Sequence, residues 1–403
     1  MEIGSAEYWK SLTEFPGLGR KLRILLFPPN SGGCAWYRVI NPGAKLLELY
    51  SNVVEIKTNE NPLNLDVSSG VLNEETLADL DWADIVWTNN LPNYGANYAA
   101  RVCGKVRERN KLFHFDTDDL LTGLFEKHRL YGTYKEKNLD EITKFIYSNS
   151  DLVTVTQLKF AHRIKPYCRG MLCMIKNAID YNLPAWNANR LISPRKGMLR
   201  IGWVGGIHHE EDVKEFAGVP SLVNQKAGRE NVHWGFYGRP PLDPKNPEDW
   251  QQKVWDNYKN TLLAGFSGSR NWDIYPAMPA DSYGLMFTNI DVAIAPLRMN
   301  EFNDSKSDIK VAECGRYSIP LVASNVGCYS DTIRNGQTGF LIPPGDTKEW
   351  VRVLTMLVKD QKRAKTLGSN LHNITEEMFN LNKVVHDRLN IYHALITSTG
   401  YKG

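Results

Sequence analysis

Short, continuously apolar runs recur along this chain and alternate with segments of helical periodicity. The runs predicted as strands are Leu22–Phe27, Asp84–Trp87, Leu112–Phe115, Leu152–Thr156, Leu199–Val204, Val232–Tyr237, Val292–Ala295, Pro320–Ala323 and Gly336–Ile342. Helices are predicted from about Pro42, over Tyr98–Asn110, Leu139–Ser148, Asp308–Arg316, Thr347–Lys359 and Leu371–Leu395, and from about Glu211. Apolar strands alternating with helices are typical of parallel, doubly wound sheets covered on both faces.

The alternation stops once and then starts again. Residues Leu183–Lys196 are rich in Pro, Asn and Arg and lack periodicity, so this segment is predicted to be a linker. We therefore expect an α/β protein of two Rossmann-like domains facing a cleft. The first is predicted to comprise residues 1–182 and the second residues 183–370. Residues 371–403 are predicted as a C-terminal helix that packs back on the first domain.

Composition narrows the functional class without naming a reaction. The 403 residues are 42% hydrophobic and 23% charged with a net charge of +3, which is ordinary for a globular protein and unlike a purely electrostatic nucleic-acid binder. The sequence contains no run of 18 apolar residues, so no membrane-spanning helix is predicted, and the N-terminal residues do not resemble a signal peptide. Six cysteines without a CxxC pair indicate a reducing compartment, so we expect a cytoplasmic enzyme. A nicotinamide-dependent oxidoreductase is disfavoured because no GxGxxG follows a predicted strand.

The segment RIGWVGGIHHEED, Arg200–Asp212, places a Gly-Gly turn directly after a predicted strand. Glycines let backbone N–H groups approach an anion closely, and a helix N-terminus adds partial positive charge. Gly205, Gly206 and His209 are therefore candidates for binding the diphosphate of a nucleotide. The alternative is a tight strand-to-helix turn without a ligand.

The segment after the strand Val292–Ala295 carries a second set of polar residues, Arg298, Asn303, Lys306 and Ser307, before a predicted helix. Ser307 and the following Asp308 are suited to cap that helix, whose free N–H groups can hold a phosphate with Lys306 neutralising its charge.

Glu313 lies about one and a half turns into the same helix, where its carboxylate could accept two ribose hydroxyls. Alternatively, Lys310 and Glu313 form an ordinary surface pair of an amphipathic helix.

Three carboxylates end a strand of the first half in the segment FHFDTDDLL. Asp116, Asp118 and Asp119 are candidate catalytic residues: Asp118 or Asp119 would orient or deprotonate the acceptor hydroxyl while Asp116 shapes the loop. The alternatives are a divalent metal bound by all three, or helix capping by Asp118 or Asp119.

Gly32, Gly33 and Arg38 follow the first strand. We expect them to face the cleft on the acceptor or phosphate side, with Arg38 pairing with a phosphate or an anionic acceptor. Alternatively, the neighbouring Trp36 and Tyr37 only anchor the first helix.

The run KVAECGRYSIPLVASNVGCYSDTIRNGQTGFLIPPGD, Lys310–Asp346, resembles the C-terminal domain of GT-B glycosyltransferases, most closely the retaining group called family 4 or group 1. Glu313 stands where that family has its ribose-binding glutamate. The family's usual E-x7-E pair is incomplete because Ser305 holds the earlier position. The loop instead resembles a subset with KS-x-x-K-x-x-E, and the Gly-Gly turn resembles that subset's G-x-x-x-H-x-x-D, with Gly205, His209 and Asp212 in register.

The first half resembles the same family at NAID, Asn177–Asp180, and at the Gly-rich loop around Gly32 and Gly33. The resemblance implies a hexosyltransferase that moves a sugar from a nucleoside-diphosphate sugar, with UDP favoured, to a hydroxyl with retention. It implies no metal and no cofactor beyond this co-substrate.

The acceptor stays open at this point between a glycan, another polymer and a hydroxylated DNA base. Local basic stripes at Arg101–Lys111 and Lys159–Lys176 keep a DNA-modifying enzyme as an alternative, although solvated helix faces explain them too. A non-catalytic protein that only binds a nucleotide sugar is a further alternative.

Overall fold

The computed structural model describes residues 2–28, 30, 32–59, 72–89, 96–193, 196–241 and 250–403. Two six-stranded parallel sheets organise these residues. The first sheet has the order β2-β1-β3-β4-β5-β6 and the second the order β12-β11-β10-β7-β8-β9. The strands are β1 (Leu22–Phe27), β2 (Val54–Thr58), β3 (Ile85–Asn89), β4 (Leu112–Asp116), β5 (Leu152–Val155), β6 (Met171–Met174), β7 (Leu199–Val204), β8 (Val232–Arg239), β9 (Trp272–Pro276), β10 (Val292–Ala295), β11 (Leu321–Ser324) and β12 (Gly339–Ile342).

Helices cover both faces of each sheet. They are α1 (Ala6–Ser11), α2 (Gly33–Ala35), α3 (Asn41–Tyr50), α4 (Glu74–Trp82), α5 (Ala96–Glu108), α6 (Tyr131–Glu136), α7 (Leu139–Asn149), α8 (Leu158–Ile164), α9 (Val219–Ala227), α10 (Trp250–Leu262), α11 (Glu301–Asp304), α12 (Ile309–Arg316), α13 (Cys328–Thr332), α14 (Thr347–Lys359), α15 (Gln361–Met378) and α16 (Leu381–Thr399). One turn of π-helix, Trp36–Ile40, joins α2 to α3.

The order of the strands locates the ligand-binding edge of each sheet. Counted along the chain, the first sheet runs 2-1-3-4-5-6, and the second runs 3-2-1-4-5-6 from its β9 edge. The winding direction therefore reverses between β1 and β3 and again between β7 and β10. In doubly wound sheets the crevice beyond the carboxyl ends of the strands at such a reversal is where ligands bind.

The predicted fold class is confirmed, and all nine predicted strands are present. The apolar pattern does not predict β2, β6 and β9, each of which is partly exposed in its sheet. Polar residues interrupt the apolar run in β2 and β9, whereas β6 is an apolar run of four residues that the prediction missed. The predicted boundary at residues 182 and 183 falls between β6 and β7. Pro194 and Arg195 of the predicted linker, and Pro29 and Ser31 of the first turn, lie outside the described residues.

The helix predicted from Glu211 is wrong. Residues Val213–Phe216 form a short 3-10 turn, and the helix α9 begins only at Val219, after Gly218 in the left-handed region with φ 71°. The Gly-Gly turn after β7 therefore does not lead into a helix N-terminus that could bind an anion.

The predicted C-terminal helix is two helices, which break at Phe379 and Asn380. α15 stays with the second sheet, where the imidazole of His372 lies 3.0 Å from the carbonyl oxygen of Gly315 on α12. α16 crosses to the first sheet, where its buried side chains share one core with residues of β1 and β3. The return of the C-terminus to the first domain therefore begins at Leu381.

Among the described residues, no helix has the length and apolar character needed to cross a bilayer.

Candidate active site

A cavity of about 570 Å³ lies between the carboxyl ends of the two sheets. The first domain lines it with Gly32, Gly33, Cys34, Tyr37, Asp118, Asp119 and Asn177. The second domain lines it with Gly206, His209, Met278, Pro279, Ala280, Tyr283, Leu297, Lys306, Ser307, Ile309, Lys310, Glu313 and Tyr329. These residues follow β1, β4 and β6 in one sheet and β7, β9, β10 and β11 in the other, so both winding reversals open onto the same space.

Glu313 lies on the cavity wall and is 1% exposed. Lys310 donates a hydrogen bond to Oε2 at 2.7 Å, and the Tyr37 hydroxyl lies 3.4 Å from Oε1. Burial raises the pKa of Glu313, and the charge and hydrogen bond of Lys310 oppose that rise. The Lys310–Glu313 pair expected on the surface does form, but it forms inside the cavity. The carboxylate is thus held in place by a donor at each oxygen.

Lys306 brings a positive charge to the opposite part of the cavity. Its ammonium lies 3.7 Å from the carboxylate of Asp119 and 4.5 Å from the centre of the Phe302 ring. Burial lowers the pKa of Lys306, but the charges of Asp119 and Asp212 outweigh burial and raise it above its usual value. The ammonium therefore stays charged, and its distance from Asp119 leaves it able to bind a ligand phosphate.

His209 reaches the cavity and is oriented from behind by a buried acid. Its Nδ1 lies 2.8 Å from Oδ2 of Asp212, whose Oδ1 accepts from the backbone N–H of Arg298 at 2.9 Å and from the amide of Asn303 at 2.7 Å. Burial raises the pKa of Asp212, but the hydrogen bond and charge of His209 hold it below its usual value. An ionised Asp212 accepts from Nδ1–H and fixes the orientation of the imidazole, so that Nε2 can donate to a ligand only when both ring nitrogens carry a proton.

Ser307 stands at the start of α12. Its hydroxyl accepts from the side-chain amide of Asn177 at 3.0 Å and from the backbone N–H of Ile309 at 3.4 Å. Asp308 occupies the N-cap position without capping the helix, because its carboxylate binds Lys176 at 2.6 Å and Thr332 at 2.8 Å. The predicted cap by Asp308 is therefore wrong. In the first turn the N–H of Ile309 faces Ser307 instead, and that of Val311 donates to the backbone carbonyl of Asp308 at 2.9 Å.

On the first-domain side, the thiol of Cys34 and the carboxylates of Asp118 and Asp119 lie within 4.8 Å of one another. Within the described part of the chain, this is the group whose ligand atoms are close enough to hold a metal ion. Burial and the charge of Asp119 raise the pKa of Asp118 to about 6, and the charge of Arg38 opposes the rise. Capping by Asp118 or Asp119 is wrong as an explanation, because the 3-10 turn Leu121–Gly123 has Leu120 at its N-cap and no side-chain cap.

Two predicted residues of this side, Arg38 and Asp116, do not reach the cavity. Both are completely buried, and the guanidinium Nε of Arg38 donates to Oδ1 of Asp116 at 2.7 Å. The expectation that Arg38 faces the cleft is therefore wrong, since its charge is neutralised by a carboxylate behind the cavity wall. For the same reason Asp116 is separate from the pair formed by Asp118 and Asp119, and the three carboxylates do not form one metal site.

Three predicted donor residues of the second domain also do not line the cavity. The guanidinium of Arg298 binds Glu211 at 2.8 Å, and Asn303 is buried against Asp212. Gly205 is required by packing, because a Cβ there would lie 2.3 Å from the ring of Trp203. The backbone N–H of Arg298 and the amide of Asn303 hold Asp212, the partner of His209, whereas Gly206 lines the cavity itself.

Five residues that line the cavity are not among the predicted site residues, namely Cys34, Tyr37, Asn177, Tyr283 and Lys310. Tyr37 and Asn177 come from the first domain yet contact Glu313 and Ser307 of the second. A pairing across two domains leaves no periodic signal in the sequence. Lys310 does have a signal in the sequence, because its spacing of three residues from Glu313 places both side chains on one helix face.

Residues 199–360 include the residues of the second domain that line the cavity. They match the family model for glycosyl transferases group 1. This segment is therefore similar in sequence to group 1 glycosyltransferases. A glycosyltransferase of Staphylococcus aureus, the capsular polysaccharide biosynthesis protein CapM, is 24% identical over 110 residues, a match that spans 27% of this chain and 28% of CapM.

Solved structures of GT-B glycosyltransferases share the fold of residues 199–360 together with that of the first domain. Sucrose-phosphate synthase from Thermosynechococcus elongatus superposes with a TM-score of 0.64 at 13% identity, covering 94% of this chain and 100% of the other. HepE from Anabaena, solved in complex with UDP and glucose, gives a TM-score of 0.63 at 13% identity, covering 91% and 98%. At this level of identity the likeness establishes the fold alone.

Proposed function

We propose that this protein is a retaining glycosyltransferase that moves a hexose from a UDP-sugar to a hydroxyl group. The observation that carries the proposal is the arrangement in one cavity of a fixed carboxylate, Glu313, and two donor groups, Lys306 and His209, opposite the acidic pair Asp118 and Asp119. The group 1 match over residues 199–360 and the complex of HepE with UDP and glucose support the same class of donor.

In this proposal the second domain binds the nucleotide. Glu313 accepts the two ribose hydroxyls in place of its present partner Tyr37. The diphosphate lies between Lys306 and His209 and accepts from the N–H groups at the start of α12. Fixed donor groups of this kind stabilise the charge that develops on a departing diphosphate, so the reaction needs no metal of its own.

The first domain then supplies the acceptor side. In the transfer, the bond between the anomeric carbon and the β-phosphate oxygen breaks, and its electron pair leaves with UDP. The acceptor oxygen forms the new bond to the same carbon on the face from which UDP leaves, as retention in a single displacement requires, and gives its proton to a base. Asp118 is suited to be this base because its pKa of about 6 lies just below neutral pH.

The acceptor is proposed to be a neutral hydroxyl compound. Lys159 and Arg163, in the second basic stripe of the first domain, bind Asp304 at 3.2 Å and 2.7 Å, and Lys176 binds Asp308 at 2.6 Å. These cations hold the two domains together and are occupied, which supports a sugar hydroxyl over a polyanionic strand. Six unpaired cysteines support the expected cytoplasmic location of such an enzyme.

The test is a thermal-shift panel of UDP-, GDP- and ADP-sugars, followed by hydrolysis of the best ligand and by NMR of the anomeric configuration released. We expect a UDP-sugar to raise the melting temperature and to be hydrolysed with retention. Binding without turnover, with any acceptor offered, would instead identify a non-catalytic nucleotide-sugar-binding protein. No stabilisation by any nucleotide sugar would contradict the proposal.

A further inference from the structure

A buried cluster of charge lies directly behind the cavity wall. The carboxylate of Asp116, at the end of β4, faces two guanidinium groups, with Arg38 Nε at 2.7 Å from Oδ1 and Arg388 Nη1 at 3.1 Å from Oδ2. The side chains of both arginines are 1% exposed, and Arg388 stacks over Trp87 with 4.0 Å between the guanidinium carbon and the ring centre. Two positive charges and one negative charge are thus buried together.

Such a cluster is a poor source of stability. Desolvating ions is costly, and well-packed apolar residues of similar volume usually serve the folded state as well or better. The second cation on one carboxylate adds repulsion, and within the described part of the chain no other carboxylate pairs with either guanidinium. The cluster is better explained by the orientation it imposes on the groups that it contacts.

Those contacts lead from the C-terminal helix to the donor site. Arg388 belongs to α16, and Arg38 to the π-helical turn before α3. Arg38 Nη1 donates to the side-chain oxygen of Asn177 at 2.9 Å. The nitrogen of the same amide donates to the hydroxyl of Ser307 at 3.0 Å, at the first turn of α12. An amide suits this place because it accepts from the donor-only guanidinium and donates to the hydroxyl.

We propose that Arg388, Asp116, Arg38 and Asn177 form a positioning relay through which the seating of α16 on the first domain fixes Ser307 and the phosphate-binding start of α12. The relay connects α16, which packs on the first domain, to the proposed donor site of the second domain. Its effect on turnover rests on the function proposed above, whereas its effect on the structure of α12 does not.

Asn177→Asp is the sharpest test. The aspartate keeps an acceptor for Arg38 and adds a negative charge beside the surplus of positive charge, so we expect the melting temperature to stay level or rise. It reverses the contact with Ser307, because the carboxylate can only accept and the hydroxyl must donate, so amide hydrogen exchange at residues 307–310 should change at least fivefold. The new charge also faces the cavity, so donor hydrolysis should become at least tenfold slower whether or not the relay operates. A purely structural role of Asn177 predicts that stability and exchange change together.

Arg388→Met tests the far end of the relay, with Arg388→Lys as the conservative rescue. We expect faster exchange at residues 307–310 in the methionine variant and partial recovery in the lysine variant. Tyr50→Phe is the matched control, because Tyr50 also hydrogen-bonds α16, through His386 at 3.0 Å, but not through a member of the relay. It should leave exchange at α12 and hydrolysis unchanged.

Unchanged exchange at residues 307–310 in folded Asn177→Asp and Arg388→Met would overturn the relay, whatever the enzyme's activity. An equal effect from Tyr50→Phe would overturn it too, since any loosening of α16 would then suffice. If the wild-type protein shows no turnover but the two variants alter exchange as expected, the relay stands and the proposed reaction fails.

Discussion

The two sheets have closely related windings, yet they bring different charges to the shared cavity. The second domain contributes Lys306, His209 and Lys310, with Glu313 held between partners. The first contributes Asp118 and Asp119, while its arginine Arg38 is turned inward and neutralised. A doubly wound sheet thus fixes where a ligand lies, and the loops decide its charge. One domain is suited to an anionic donor and the other to a hydroxyl that must lose a proton.

The largest expected effect comes from removing the charge of the donor side. Lys306→Ala should lower kcat for UDP-sugar hydrolysis by about 100- to 1,000-fold, the range seen when a fixed group that stabilises transition-state charge is lost. The melting temperature should change little, because the ion pair of Lys306 with Asp119 is long, at 3.7 Å. The matched control is Lys348→Ala on α14, an exposed lysine of the same domain. Normal kinetics in folded Lys306→Ala would remove the proposed diphosphate site.

On the acceptor side, Asp118→Asn should lower hydrolysis by about 100-fold, the lower range for losing a general base, and should leave UDP binding unchanged in calorimetry. The base acts when ionised, so the wild-type rate should rise with pH through about 6, and this rise should be missing from the variant. Loss of UDP affinity in Asp118→Asn would show that the two sides are not separate.

Asp118→Asn should also change how the thermal stability of the protein depends on pH. The raised pKa of Asp118 means that the folded protein holds this proton more tightly than the unfolded chain does, so the group's stabilising contribution is present below about pH 4 and is lost as the pH rises to about 6. Asp118→Asn should therefore melt a few degrees higher than the wild type at pH 7 and gain nothing at pH 4. Equal melting curves at both pH values would argue against a buried carboxyl group with a raised pKa.

A smaller change is expected at the ribose. Glu313→Gln keeps the shape of the side chain but removes charge-assisted acceptance, so UDP should bind about tenfold more weakly. The measurement is calorimetric titration with UDP, and the control titrates the variant with inorganic diphosphate, whose affinity should not change. Weakened binding of both ligands would mean that Glu313 acts by holding Lys310 near the phosphates.

The smallest effect concerns the contact across the cleft. Tyr37 occupies one oxygen of Glu313 through a hydrogen bond of 3.4 Å, which a ribose hydroxyl must replace. Tyr37→Phe should therefore tighten UDP binding by about two- to fivefold, as expected for releasing one weak hydrogen bond. If UDP binds more weakly instead, the Tyr37 hydroxyl contacts the bound nucleotide.

Local pattern is sufficient for much of this protein. The predicted bounds of β7 and β10 match the structure to the residue, because a continuous apolar run is the direct signature of a strand buried on both faces. Lys306, Ser307 and Glu313, which line the cavity, could be grouped from sequence because one helix and its preceding loop carry all three. The helix predicted at Glu211 fails for a tertiary reason: Glu211 binds Arg298 and Asp212 binds Asn303, which lie 87 and 91 positions further along the chain, and neither acid starts a helix.

Residues close together in the chain therefore specify the two parallel α/β sheets, the order of their elements and the loop that lines the second-domain side of the cavity. Which charges reach the cavity depends instead on contacts between residues that are distant in the chain. Arg38 and Asp116 have the same residue types as a binding site, but they are buried against each other and against Arg388, which lies 272 positions beyond Asp116 in a helix of the C-terminus. A charge is available to a ligand only where folding has not already supplied its partner.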